Sequence, residues 1–160
     1  MEQVVFFCLF VGVGSTLVLD LWVLLVKKVL GIPPTNWGVV GRWLKGIAAG
    51  RFVADTTDDS KITLTEKSLG WSFHYIIGVV YAALILIIYG VEFISNPALA
   101  PVIFVGVVLS TIAGLGILMP GLGAGFFGRL LPNKTATYVY LVVAHAIFAG
   151  GQFAFSILYC

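Results

Sequence analysis

Apolar residues run almost unbroken along most of this chain, and the interruptions are short and polar. The first run extends from about Val4 to Val26, the second from about Leu69 to Val91, the third from Ala98 towards Leu131, and the fourth from about Ala136 to Leu158. About 20 consecutive apolar residues of helix cross the hydrocarbon of a bilayer, so each run predicts a membrane span. At about 1.5 Å per residue the third run is too long for one straight crossing. Pro120 and the glycines at 121, 123, 125 and 128 predict a break or kink there. The expected spans are therefore 4–26, 69–91, 98–120 and 136–158, in a single transmembrane domain over residues 1–160.

The polar interruptions predict how these runs are joined. Asn96-Pro97 marks one short turn, and Leu131-Pro132-Asn133-Lys134 another. Only residues 31–67 make a sizeable segment outside the apolar runs. Within it, Asn36 to Ile47 predicts a short helix with Asn36 as its cap. Trp37, Val40, Leu44 and Ile47 would share one face, with Arg42 and Lys45 off it, which is the pattern of a helix lying in a membrane interface. Asp55 to Ser60 predicts a solvated loop. Thr63-Leu64-Thr65-Glu66 fits a capping box at the start of the second span.

Charge turns the pattern into a topology. Lys27, Lys28, Arg42, Lys45, Arg51, Lys61 and Lys67 follow the first run, and Arg129 and Lys134 lie between the third and fourth. The start, the connection from Glu92 to Pro97 and the end carry no Lys or Arg. Cytoplasmic loops collect these residues, so segment 31–67 is expected in the cytoplasm and both termini outside. The expected fold is an all-α membrane protein of four transmembrane helices plus one cytoplasmic interfacial helix. Composition agrees: 60% of residues are hydrophobic and 10% charged, against about 25% charged in soluble domains. A net charge of +2 does not argue for nucleic acid, and the bilayer is the expected partner. Glu2 stands where a signal peptide would carry positive charge, and the first run is long, so it reads as a retained span. Cys8 and Cys160 both fall near the outer face. They read as two unpaired thiols, with a disulfide as the alternative.

The halves of the chain echo each other. Phe10-Val11-Gly12-Val13 corresponds to Phe104-Val105-Gly106-Val107, and His74 with Gly78 to His145 with Ala149. A parallel duplication would account for both correspondences.

Few residues in the apolar runs can do chemistry. Asp20 precedes Lys27 by seven residues, about 10 Å below the inner surface on helical rise. It is too short to snorkel easily, so it needs a partner or loses its charge. His74 follows Lys67 at about the same depth, and His145 follows Lys134 somewhat deeper. Asp20 and His74 are expected within hydrogen-bond reach of each other. Asp20, His74, Arg42 and His145 are the candidate substrate or ion site, with Trp22, Trp71, Tyr75, Met119 and Gly121 in support. Such a set could relay protons, bind an ion or small solute, or merely fix helix packing. Arg42 could reach Asp20 or bind a lipid phosphate or anionic solute with its fork of donors. Gly121 and Gly125 form a small-xxx-small pair suited to helix contact. A metal would have to use His74, His145, Asp20 and Met119, and haem the two histidines. Neither has a recognisable ligand motif, so the cofactor is undetermined. No nucleophile, base and orienting group stand together, so an enzyme is not expected.

Asp20-Leu21-Trp22, Gly41-Arg42-Trp43, Gly70-Trp71-Ser72-Phe73-His74-Tyr75 and Ala144-His145 resemble the signature of a bacterial inner-membrane family, domain of unknown function 2938. The resemblance covers nearly the whole chain in the same motif order. Met119 abuts Pro120 where the family pattern has a polar residue between Met and Pro. The resemblance implies a small multi-pass protein of the bacterial inner membrane and supplies no activity, substrate or cofactor. From the residues themselves, the leading expectation is a transporter or channel-like protein acting on a small solute or ion, as a homo-oligomer. The alternatives are a metal- or haem-binding module and an accessory subunit of a larger membrane complex.

Overall fold

The computed structural model describes residues 1–160, which form helices and no strands. Helix α1 covers Glu2–Leu30 and α2 Trp37–Ala48. Helix α3 covers Leu64–Tyr89, α4 Leu99–Gly121 and α5 Lys134–Tyr159. All but α2 are long and apolar enough to cross a membrane. Helix α1 at both ends, and α3 and α5 at their starts, reach past their apolar runs, because the groups that satisfy helix ends are polar and lie outside them. Asn36 accepts from the Gly38 N–H at 3.1 Å, as its capping role predicts. The capping box is reciprocal: Thr63 Oγ1 accepts from the Glu66 N–H at 3.2 Å, and the Thr63 N–H donates to the Glu66 carboxylate at 2.8 Å. Gly31, at φ 68°, closes α1 by donating to the Lys27 carbonyl at 3.0 Å.

Helix α4 departs from a regular α-helix. Phe104–Leu109 and Gly114–Leu118 wind as wide π turns, which are frequent at functional sites. The helix ends at Gly121, directly after Pro120, as the proline predicts. Gly123, Gly125 and Gly128 then take positive φ, and Phe127 does so too at 52°. Gly125 therefore lies beyond the helix, and Gly121 and Gly125 do not form the expected small-xxx-small pair. A left-handed residue ends the helical repeat that would bring them to one face.

The chain packs as two compact units. The first comprises Met1–Pro34, Tyr75–Thr111 and Val139–Cys160. Its core joins Phe7, Val11, Ile85, Phe93, Val102 and Val105, among others. Small residues set the helix spacing there. A Cβ at Gly12 would lie 2.5 Å from Val79 Cα on α3, and one at Gly106 would lie 2.9 Å from Ala149 Cβ on α5. The glycine of each echoed Phe-Val-Gly-Val motif thus meets the helix carrying the echoed His-x-x-x-small motif. The hydroxyls follow suit: Thr16 donates to the Gly12 carbonyl at 2.7 Å, and Ser110 to the Gly106 carbonyl at 2.6 Å. The Tyr159 hydroxyl donates to the Gln3 carbonyl at 3.0 Å, and the Cys160 thiol to the Ser95 carbonyl at 3.2 Å. Both termini and the α3–α4 connection therefore share one end of this unit. Cys8 is buried and Cys160 exposed, and both thiols are free. Leu21, Ile87 and Leu158 project outward with about two-thirds or more of their surface uncovered, as lipid-facing side chains do.

The second unit comprises Thr35–His74 and Ile112–Tyr138. Here α2 crosses the start of α3 with the backbones in contact. A Cβ at Gly41 would touch the Glu66 carbonyl oxygen, and one at Gly70 would touch the Trp37 carbonyl oxygen. The buried face of α2 is Gly38, Val40, Gly41, Trp43 and Gly46, while Trp37, Leu44 and Ile47 are half-buried. The expected apolar stripe is thus displaced by a glycine face, because the closest approach needs the smallest residues.

Candidate functional site

In the first unit, Asp20 projects from α1 towards α3, where the Tyr75 hydroxyl donates to its carboxylate at 2.9 Å. Both groups are partly buried, and a hydrogen bond in such a place is stronger than one in water. Two residues on, Trp22 packs its ring 5.5 Å from that of Tyr140 on α5. His145, also on α5, shares a hydrogen bond of 2.8 Å between its Nδ1 and Thr111 Oγ1 on α4. Thr111 lies between the two wide turns of α4. One carboxylate and one imidazole in this unit are therefore each oriented by a hydroxyl.

In the second unit, His74 is buried and stacks on Trp37, with ring centroids 4.0 Å apart and an interplanar angle of 23°. Trp71 meets the same imidazole edge-on at 5.8 Å. Arg42 is engaged by protein acceptors. Its Nε donates to Glu66 at 3.3 Å, and its Nη1 pairs with the Asp58 carboxylate at 3.1 Å. Nη2 donates to the Ser60 carbonyl at 2.9 Å. Lys45 adds a second cation to Glu66 at 3.3 Å. Glu66, nearly inaccessible, thus has paired cations and a backbone donor, the arrangement a buried carboxylate requires. Trp43 donates its indole N–H to the Phe52 carbonyl at 2.9 Å and packs its ring on Gly121. The Gly121 carbonyl accepts from the Ala54 N–H at 2.7 Å. A Cβ at Gly128 would lie 3.0 Å from the Met119 sulfur. Gly121 therefore helps to seat the segment after α2, and Met119 packs at the turn around Gly128.

That segment is ordered by its own acids. Asp55 caps Thr57 through hydroxyl and N–H at 2.6 and 2.9 Å, and Asp58 accepts from the Ser60 N–H at 3.0 Å. Hydrogen bonds from Ser60 hold the Asp58 carboxyl below its usual range, and bonds from Thr57 do the same for Asp55.

Reasoning from the sequence passed over three residues. Glu66 was visible only as a cap. Thr111, the partner of His145, is an ordinary polar residue in an apolar run. Gln152 is completely buried with no protein partner for its amide, and its signal was available as the one carboxamide in the fourth run. No group of three or more His, Cys, Asp or Glu side chains converges as a metal site.

No curated protein and no solved structure matches this chain. A family model does, described as protein of unknown function (DUF2938), and its match runs over residues 9–159 of 160. With the matched region holding the Asp20–Tyr75 pair, the Arg42 hub, most of α1 and the whole of α3 and α4, the chain belongs to that family.

Proposed function

We propose that this protein is a small transporter or channel-like carrier of an ion or small solute, with Asp20 as the group that binds it. The observation that carries this reading is the Asp20–Tyr75 hydrogen bond within spans of high hydropathy. A carboxylate in such a span is costly and marks a functional site by default, and the phenol sets its orientation. His145, held by Thr111 within the same unit, is the further titratable group proposed to serve the same species. Arg42 contributes by holding the segment after α2 in place. In the same reading the protein lies in a bacterial inner membrane with 31–67 in the cytoplasm and both termini outside. The Lys and Arg bias supports that orientation. It works as a homo-oligomer: only 22–39% of each span's most apolar window is buried in one copy, which leaves helix surface for another.

Purified protein in sealed vesicles tests the reading, with imposed gradients of protons, Na⁺ and K⁺ and an entrapped indicator for each. Flux of at least one should exceed that of empty vesicles. Asp20→Asn should lower it at least about tenfold, as a barrier raised by about 1.4 kcal/mol would, and Tyr75→Phe less. Equal flux from wild type and Asp20→Asn would overturn the assignment of Asp20.

A further inference from the structure

The first unit buries a layer of polar side chains that the sites above do not use. Ser15 and Thr16 on α1, Ser110 on α4, and Gln152 and Ser156 on α5 are each 2% exposed or less. Every hydroxyl in this layer commits its proton to its own helix. Ser15 donates to the Val11 carbonyl at 2.7 Å, Thr16 to Gly12 at 2.7 Å, Ser110 to Gly106 at 2.6 Å and Ser156 to Gln152 at 2.7 Å. Gln152 differs, since neither its Nε2 nor its Oε1 has a hydrogen-bond partner in the protein. Glycine makes room for it: a Cβ at Gly106 would collide with Gln152 Oε1, and one at Gly151 would lie 2.9 Å from Ser15 Cα.

A dry, unbonded amide in such a place is costly, and an apolar side chain of the same size would avoid that cost. The chemistry of the amide selects its ligand. It offers an acceptor oxygen and a donor nitrogen together. A bare cation would satisfy only the oxygen, and an anion only the nitrogen. The hydroxyls of the layer have lone pairs free to accept and no proton left to give. A species that both donates and accepts, and is small enough for a closely packed layer, meets these conditions.

We infer that Gln152 is the centre of a buried water site in the first unit. The site does not rest on the carrier reading above.

The full-length ¹⁵N-labelled protein in lipid bilayers tests the site by solid-state NMR, with magnetisation transferred from water protons. The Gln152 side-chain NH₂ should build up from water as fast as the exposed Asn36 and Asn96 amides. Build-up as slow as the buried Phe7 and Ile85 backbone amides would overturn the site, and this measurement on wild type needs no variant to fold.

Discussion

At the scale of single residues, two glycines of the same type carry opposite expectations. Gly41 lies where α2 crosses α3, and a Cβ there would lie 2.7 Å from the Glu66 carbonyl carbon and 2.9 Å from the Gly70 nitrogen. These are backbone atoms, so no side chain can turn aside to relieve the clash. Gly41→Ala should destabilise by about 1–3 kcal/mol, the usual range for overpacking. Gly150, inside α5, has nothing within 4 Å of its Cβ position. Gly150→Ala removes a poor helix former and should leave the melting temperature unchanged or raise it. Thermal unfolding of both variants in the same detergent checks the pair. A neutral Gly41→Ala would remove the backbone crossing. Arg42 likewise acts through its shape, because a single ammonium does not cover Glu66, Asp58 and Ser60 together.

At the scale of elements, the segment between α2 and α3 is held by capping and charge and buries little apolar surface. Its pH response follows from its acids. The Asp58 carboxyl sits below the usual value of about 3.9, chiefly through the Ser60 hydroxyl and N–H. A depressed carboxyl contributes stability that is fully present above the unfolded-state value and is lost as pH falls through the lower folded value. Segment 51–63 should therefore stay ordered through neutral pH and down to about pH 4, and loosen only below it. A ¹³C titration of the Asp58 carboxyl should give a midpoint below 3.9, and Ser60→Ala should move it up. A wild-type midpoint at or above the ordinary value would show that Ser60 does not hold this carboxylate. The wide turns of α4 belong to this scale as well, since they re-aim Ser110 and Thr111 on a helix whose apolar pattern gives no sign of them.

At the scale of the whole molecule, the shared end of the first unit ties orientation to one native thiol. Cys160 is exposed and bonded to Ser95, next to the α3–α4 connection. In the proposed orientation, with both termini outside, an impermeant thiol reagent applied to intact cells should label Cys160. It should also label a cysteine placed at Asn96, while one placed at Asp59, in a Cys160→Ser background, stays protected. Labelling at Asp59 from outside would invert the orientation and every depth argued from it.

What the sequence determined by itself is what depends on local sums and local bonds. The cost of placing a segment in hydrocarbon adds residue by residue, so the four long helices were legible as apolar runs. Asn36, the Thr63–Glu66 box and the stop at Pro120 were legible because a cap or break acts within a few residues of itself. Asp20, His74 and His145 were legible as candidates because any ionisable group in such a run is conspicuous. What only the tertiary structure decided is which face of each helix turns inward. Lipid and protein interior are about equally apolar, so hydrophobicity does not mark the face that packs. The glycine crossing at Gly41 and Gly70, the pairing of Asp20 with Tyr75 and of His145 with Thr111, and the burial of Gln152 all depend on that choice. Arg42 shows the same division: its charge was plain in the sequence, but its partners lie 16 to 24 residues away, and only the folded segment brings them to it.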